Sequence, residues 1–251
     1  MTSRRARRGA AILALCLASV SATGCGALSG GGAGPRSSPA AAAAKPVTAP
    51  APVVMFLGDS YTVGEAGTLE EHTYASAAAR LLGWQVIVAG RSGTGFATGG
   101  RAGQAYGLLF ESQLGWRPAP DLLIVSGGHN DWDKPPQQVA AAAQDVLDRA
   151  RKRWPGTRMA FVGPIWGNQS PPPEALAVRD ALQGVAKGMS IPFIDPIAGH
   201  WITGHRLQGT GNAPRFIKRD GVHPTPEGHR YIAIRLVKDL KRHGLAHPTA
   251  G

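Results

Sequence analysis

From Val53 onward, short apolar runs alternate along the chain with longer segments whose apolar residues recur at helical spacing. The short runs are rich in branched residues and predict five strands, at Val53–Leu57, Gln85–Ala89, Leu122–Ser126, Arg158–Val162 and Pro192–Ile194. The longer segments predict helices at Thr73–Leu82, Ala105–Leu114, Gln137–Arg153, Pro173–Gly188 and Thr225–His243. Such alternation is typical of a parallel sheet with helices on both faces. We therefore predict an α/β domain over residues 53–245 and a short tail over residues 246–251.

The start of the last predicted helix carries the clearest local signal. Thr225 is a residue type that caps helix N-termini, and Pro226 suits the first helical position, where no N–H is needed. Ile232, Leu236 and Leu240 then recur four residues apart and predict the buried face of this helix.

The first 24 residues have the parts of a bacterial export signal. Four arginines precede an apolar stretch at 10–20, which is too short and too rich in alanine for a membrane span. Small residues, Ala22, Thr23 and Gly24, come directly before Cys25. This position of Cys25 resembles a lipobox and predicts that the cysteine is lipidated and becomes the mature N-terminus. The alternative is ordinary cleavage nearby, which would leave a soluble secreted protein.

Residues 25–52 begin with this cysteine and continue as Gly, Ser, Ala and Pro with almost no charge. A segment of this composition cannot form a core and predicts a flexible tether. We therefore expect an exported protein that is held by its lipid on the outer face of the cell membrane, of the type found among actinobacterial lipoproteins.

The positive charge of the chain does not indicate nucleic-acid binding. The formal net charge is +11, and four of the positive charges belong to the export signal. The others are scattered, apart from clusters at Arg149–Arg153 and Lys238–Arg242 on predicted helices, and no aromatic residues are interleaved with these clusters. Solvated helix faces are the usual meaning of this pattern. We expect a monomer whose partners are its substrate and, through the lipid, the membrane.

Gly58-Asp59-Ser60 follows the first predicted strand, at the end of the sheet where ligands bind in open α/β folds. A serine at this place acts as a nucleophile if a base takes its proton. Asp220-Gly221-Val222-His223, near the C-terminus, provides an acid–base pair: Asp220 can orient and stabilise His223, and His223 can accept the proton from Ser60. We expect Asp59 to stabilise its turn rather than to react.

Two further loops after strands contain groups that could stabilise an oxyanion. The loop at 90–95 has two candidate amides, those of Gly93 and Gly95, and the spacing from Gly90 favours Gly93. The loop at 126–131 contains Asn130, whose neutral amide is a good oxyanion donor. We expect Asp131 to brace this loop.

Several other residues are candidates for a substrate pocket. His129 is expected either to contact substrate or to pack in its loop, and Trp132, Trp166 and Trp201 are candidate walls that would suit a sugar ring or an acyl chain. The spacing of Asp195, His200 and His205 fits no zinc pattern, so we predict no metal and no organic cofactor.

Taken in order, these segments resemble the four blocks of the SGNH (GDSL-type) hydrolases, as Gly58-Asp59-Ser60, Gly90-Arg91-Ser92-Gly93, Gly128-His129-Asn130-Asp131 and Asp220-Gly221-Val222-His223. The match covers nearly all of the chain after the tether. The second block departs from the family pattern, because Val88-Ala89 stand where an asparagine is frequent. The resemblance implies a flavodoxin-like three-layer α/β/α fold with a parallel sheet of about five strands.

The same resemblance implies that Ser60 is the nucleophile, His223 the general base and Asp220 its orienting acid. It implies an oxyanion hole made of the Ser60 N–H, the Gly93 N–H and the Asn130 side chain. The expected activity is hydrolysis of carboxylic esters, with short acyl chains or O-acetyl groups on carbohydrate, through an acyl-enzyme. An O-acyltransferase, a lipase for longer acyl chains and a non-catalytic binding module are the alternatives.

Overall fold

A computed structural model of the chain describes residues 50–65 and 67–249. The predicted export signal, Cys25 and nearly all of the tether lie outside these residues. The strands β1 to β5 are, in order, Val53–Gly58, Gln85–Gly90, Leu122–Ser126, Arg158–Val162 and Phe193–Ile194. They form one sheet in the order β2-β1-β3-β4-β5, and every pairing is parallel. This is the flavodoxin-like order, so the predicted fold class is confirmed.

The helices α1 to α7 are, in order, Ser60–Val63, Tyr74–Leu82, Tyr106–Leu109, Pro136–Arg153, Pro173–Gly188, Ala213–Phe216 and Pro226–Arg242. The prediction of one regular helix over Ala105–Leu114 is wrong in its second half, because α3 continues as a π-helical turn at Phe110–Leu114. The wider turn accompanies a tertiary hydrogen bond, in which Gln113 Oε1 accepts the Gly90 N–H at 2.8 Å. The four-residue helices α1 and α6 are too short to have produced a periodic signal.

The central strands β1 and β3 are buried on both faces, which explains why they are nearly continuous apolar runs. Met55 and Leu57 of β1 face the side covered by α3, α4 and α5, whereas Val54 and Phe56 face the side covered by α2 and α7. All four side chains are at most 1% exposed. The alternation of neighbouring residues between two cores therefore produces the three layers.

Both ends of α7 connect to the rest of the domain. The Thr225 side chain accepts a hydrogen bond of 3.0 Å from the Gly228 N–H, as predicted for the N-cap. Beyond the helix, Ala246 is 4% exposed, and its carbonyl accepts a hydrogen bond of 3.0 Å from Trp84 Nε1. The folded unit therefore continues past residue 245, where the sequence placed the start of a tail. None of the helices within residues 50–65 and 67–249 combines the length and the apolar character needed to cross a membrane.

Candidate active site

Ser60 lies where β1 ends and α1 begins, on the C-terminal edge of the sheet. Asp59 caps α1, and its Oδ1 accepts a hydrogen bond of 3.0 Å from the Tyr61 N–H. The residue before Asp59 must be glycine, because a Cβ on Gly58 would lie 2.1 Å from the Thr62 hydroxyl oxygen. As the first residue of the helix, Ser60 has an N–H with no acceptor inside the helix. The turn therefore presents a hydroxyl and an amide donor from the same residue.

The structure brings His223 and Asp220 to this serine from the far end of the chain. His223 Nε2 lies 3.0 Å from Ser60 Oγ, and His223 Nδ1 lies 2.7 Å from Asp220 Oδ2. The other carboxylate oxygen of Asp220 accepts the N–H groups of Val222 and His223, each at 2.9 Å. Gly221 has a φ of +77°, which only glycine adopts readily, and this bend folds the loop around the carboxylate.

The charge state of Asp220 suits a role in orienting the imidazole. Partial burial raises the pKa of this carboxyl, but the hydrogen bonds from Val222 and His223 outweigh burial and lower the pKa below its ordinary value of 3.8. Asp220 is therefore ionised at neutral pH and can accept only, so His223 carries its proton on Nδ1. The Nε2 lone pair is then directed at the hydroxyl of Ser60.

Two contacts that the sequence did not predict hold the loop of the base against the nucleophile. The Tyr61 hydroxyl, beside Ser60, donates a hydrogen bond to the Val222 carbonyl, beside His223. Farther from Ser60, Lys218 Nζ lies 3.3 Å from Glu65 Oε2, and this ion pair joins the loop of the base to the segment that follows α1. These partners are separated by more than 150 positions in the chain, so no local pattern could have indicated them.

Asn130 lies on the neighbouring strand end, after β3. Its Nδ2 donates a hydrogen bond of 2.9 Å to the Thr94 carbonyl and lies 3.5 Å from Asp59 Oδ2. Asp131 is fully buried, and its carboxylate accepts three backbone N–H groups at 2.8–3.0 Å, from Phe96, Ala97 and Thr98. Asp131 thus braces the end of the glycine loop, rather than its own loop as the sequence predicted, and fixes the glycine loop relative to Asn130.

The two candidate glycines of this loop differ in what their amides do. The Gly95 N–H donates a hydrogen bond of 2.7 Å to the Thr98 carbonyl, and a Cβ on Gly95 would lie 2.2 Å from Asp131 Oδ2. Gly93 has a φ of +75°, and in the described part of the chain its N–H donates to no protein acceptor. Gly95 is therefore a packing residue, and Gly93 has the amide that is free to bind a ligand.

The four sequence blocks thus meet at one edge of the sheet, around the point where the strand order reverses between β1 and β3. A profile of the GDSL-like lipase/acylhydrolase family matches residues 56–231, which include all four blocks. The chain belongs to this family. The predicted enzyme class, a carboxylic ester hydrolase, is thereby confirmed.

A GDSL relative from Mycobacterium tuberculosis, named GDSL lipase Rv0518, is 31% identical over 194 residues, which are 73% of this chain and 79% of that protein. Among solved structures, the carbohydrate acetylesterase Est24 from Sinorhizobium meliloti has a TM-score of 0.59 at 17% identity, over 76% of this chain and 99% of that one. A family two carbohydrate esterase from Clostridium thermocellum in complex with cellohexaose has a TM-score of 0.61 at 16% identity, over 80% and 67% of the two chains. At these identities the structures show the shared fold.

Asp59, the middle residue of the GDS triplet, is an unusual acid. It is 3% exposed, and burial raises its pKa to about 7; the Tyr61 N–H opposes the shift and the charge of Asp131 adds to it. Near neutral pH a large fraction of the molecules therefore carries a neutral carboxyl next to Ser60 and Asn130. The sequence indicated its role in the turn but not this titration, since the titration depends on burial.

Of the predicted pocket residues, His129 and Trp166 lie together. His129 Nδ1 is 3.1 Å from the Ile165 carbonyl, which can only accept, so this nitrogen carries the proton. Burial lowers the pKa of His129 to about 4, so the ring is neutral, and in the part of the chain that the structure describes its Nε2 has no hydrogen-bond partner. Its centroid lies 4.6 Å from the Trp166 ring. Trp132, by contrast, is 42% exposed, and Trp201 is fully buried in the core.

The structure does not assemble Asp195, His200 and His205 into a metal site. Asp195 Oδ2 lies 3.0 Å from Arg179 Nη1, and its Oδ1 accepts backbone N–H groups of its own loop. His205 Nε2 lies 3.2 Å from Ser170 Oγ. Among the described residues, ligand-type side chains gather instead at Glu65, Asp220 and His223, where the ionic and hydrogen-bond contacts described above engage all three.

Proposed function

We propose that this protein is a serine esterase whose nucleophile is Ser60. The observation that carries the proposal is the continuous series of contacts from Ser60 Oγ to His223 Nε2 at 3.0 Å and from His223 Nδ1 to Asp220 Oδ2 at 2.7 Å. A nucleophile, a base and a carboxylate that orients the base are what acyl transfer through a covalent intermediate requires.

The reaction has two acyl-transfer steps. His223 Nε2 takes the proton of Ser60 as Oγ attacks the ester carbonyl, and the tetrahedral intermediate collapses when His223 gives this proton to the leaving alcohol. Water then attacks the acyl-enzyme with His223 again as the base, which releases the acid and restores Ser60. Asp220 stays ionised throughout and stabilises the imidazolium that forms in each step.

The negative charge of the intermediate is held by the Ser60 N–H, the Gly93 N–H and Asn130 Nδ2. Each donor of this kind contributes about 3 kcal/mol to transition-state stabilisation. The free amide of Gly93 and the hydrogen bond that holds Asn130 to Thr94 support this assignment over one that uses Gly95.

Substitution of the nucleophile and the base tests the triad. We expect Ser60→Ala and His223→Ala to lose nearly all turnover of 4-nitrophenyl acetate, and Ser60→Ala to lose labelling by a fluorophosphonate probe. Ser112→Ala, which changes an exposed serine, is the matched control and should keep both. Wild-type turnover in a folded Ser60→Ala variant would overturn the assignment.

The proposed substrates are esters of short acyl groups, including O-acetyl groups on carbohydrate. The structural neighbours named as carbohydrate esterases support this class. The relative named a lipase favours longer acyl chains as a second candidate. A chain-length series of nitrophenyl esters, measured beside acetylated polysaccharides, separates the two. Release of free acid measured against transfer to an added sugar acceptor distinguishes a hydrolase from an O-acyltransferase.

We also propose that the enzyme is exported and anchored through a lipid on Cys25, with residues 25–52 as the tether. The arginine-rich start, the short apolar stretch and the small residues before Cys25 support this. We expect the mature protein in the membrane fraction to carry the mass of a lipidated N-terminal cysteine, and Cys25→Ala to lose it. An unmodified N-terminus on a protein in the medium would contradict the anchor.

A further inference from the structure

A cleft of about 230 Å³ opens between the loops that follow β4 and β5. Its lining includes Trp166 and the apolar side chains of Leu176 and Trp201. The polar residues of the lining include Asn168 and His200, of which His200 is exposed at the rim. The volume is below the range of roughly 300–1,000 Å³ found for sites of drug-sized ligands, so the cleft suits a single small ring and not a long chain.

The wall of this cleft is connected to the active site on two sides. The Trp166 ring packs at 4.6 Å from the ring of His129, the residue before Asn130. The next residue, Gly167, packs so tightly on the loop of the base that a Cβ there would lie 2.1 Å from the Gly221 carbonyl oxygen. Trp166 and Gly167 therefore place the wall of the cleft against the two loops that carry Asn130 and His223.

The chemistry of the lining is that of a carbohydrate site. A flat indole offers its face to the C–H face of a pyranose, and polar groups at the rim can bind the hydroxyls. Asn168 Oδ1 accepts a hydrogen bond of 2.8 Å from the Ser170 N–H, and within residues 50–65 and 67–249 the Asn168 amide nitrogen donates to no protein acceptor. His200 is exposed at the rim with a φ of +47°, a conformation that non-glycine residues rarely adopt.

We propose that this cleft binds the sugar ring of an acetylated carbohydrate while its ester carbonyl lies at Ser60. The assignment rests on the proposed esterase function and adds to it the place in the structure where the sugar is recognised. Trp166 is then a binding residue that distinguishes sugar esters from esters of simple alcohols.

The test compares two acetyl esters that differ in the alcohol. We would measure kcat/KM for monoacetates of methyl xylopyranoside and methyl glucopyranoside, and for 4-nitrophenyl acetate. In Trp166→Ala the ratio of sugar ester to nitrophenyl ester is expected to fall roughly tenfold, which corresponds to the loss of one stacking contact. Trp116→Ala changes a tryptophan that is 64% exposed on the loop before β3, and this control should keep the wild-type ratio.

A second variant guards against misfolding of Trp166→Ala. His200→Gly removes a rim side chain and relieves the positive φ, so the fold should tolerate it, and the same ratio is expected to fall roughly threefold through the loss of one polar contact. The proposal would be overturned if kcat/KM fell equally for the sugar ester and the nitrophenyl ester. It would also be overturned if neither variant lowered the ratio of the two. A selective loss on a nitrophenyl octanoate would overturn it too, since it would make the cleft an acyl site.

Binding of the unesterified glycosides separates this proposal from the esterase function. If the wild-type protein hydrolyses neither ester, the proposed function fails. Saturable binding of methyl xylopyranoside or methyl glucopyranoside, followed by tryptophan fluorescence and lost in Trp166→Ala, would still support the cleft as a sugar site. Absence of this binding together with absence of selectivity refutes it.

Discussion

Replacing Asp59 by asparagine is expected to remove a large pH dependence from the stability of the domain. Burial raises the pKa of Asp59 from 3.8 to about 7 in the folded protein, whereas an exposed carboxyl in the unfolded chain keeps the lower value. Between these two pKa values the folded state binds more protons than the unfolded state. The free energy of unfolding therefore falls as the pH rises.

The magnitude follows from the size of the pKa shift. A shift of about three units at about 1.36 kcal/mol per unit corresponds to a loss of about 4 kcal/mol between about pH 4 and pH 7. The contribution of the neutral Asp59 carboxyl to the free energy of unfolding is fully present below about pH 4, and it is lost as the pH rises through the folded-state pKa of about 7. Asparagine does not titrate, and its side-chain oxygen can still cap α1 for the Tyr61 N–H.

The assay is urea unfolding of both proteins at closely spaced pH values between about 4 and 8. The quantity to plot is the unfolding free energy of Asp59→Asn minus that of the wild type, which should rise by about 4 kcal/mol across this range. His129 and His229, whose pKa values burial lowers to about 4, titrate in both proteins and cancel. Asp133→Asn, which changes an exposed carboxylate, is the matched control. A difference for Asp59→Asn that does not change with pH would refute the reasoning.

Three further substitutions test the contacts around the site, and a fourth, on a helix face away from the site, is a control. Tyr61→Phe removes the hydroxyl that holds Val222, so the rate of fluorophosphonate labelling should fall several-fold while the stability falls by about 1 kcal/mol; an unchanged labelling rate would contradict a positioning role. Asp220→Asn should lower kcat by roughly 10³–10⁴, because the amide no longer fixes the tautomer of the base, and a wild-type pH–rate profile would argue against this. Gly95→Ala should destabilise the domain by about 2 kcal/mol or more, because the new Cβ would collide with the buried carboxylate of Asp131. Gly184→Ala, on an open helix face, should instead stabilise the domain by about 0.5–1 kcal/mol. Thermal unfolding of the two variants measures both effects.

Much of the fold could be predicted because its signals are local. The central strands β1 and β3 are apolar runs because both of their faces are buried, and all predicted strand ends agree with the structure to within one residue. Thr225 and Pro226 indicated the start of α7 because capping depends on residues in the first turn. The turn at Phe110–Leu114 was missed, because a hydrogen bond from another strand accompanies its π-helical form.

In the candidate site, too, some residues are indicated by local motifs and others are decided only by packing. Ser60, Asn130, Asp220 and His223 could be predicted as candidate site residues because each lies in a short motif at a strand end or before a helix. The choice of Gly93 over Gly95 rested on spacing alone, and the structure adds the physical reason, since the Gly95 amide is already bonded within its loop. The sequence offered no reason to prefer one of the three candidate tryptophans. The packing shows that Trp132 is exposed, that Trp166 lines the cleft and that Trp201 belongs to the buried core.

By itself, the sequence determined the α/β class, the order of the elements and the residue types that can perform ester chemistry. These follow from periodicity, capping and short motifs, which act over a few neighbouring residues. Only the tertiary structure decided the distances from Ser60 to His223 and from Tyr61 to Val222, the raised pKa of Asp59 and the cleft beside Trp166. Distance and burial depend on which distant segments pack together, and this information is spread over the whole chain.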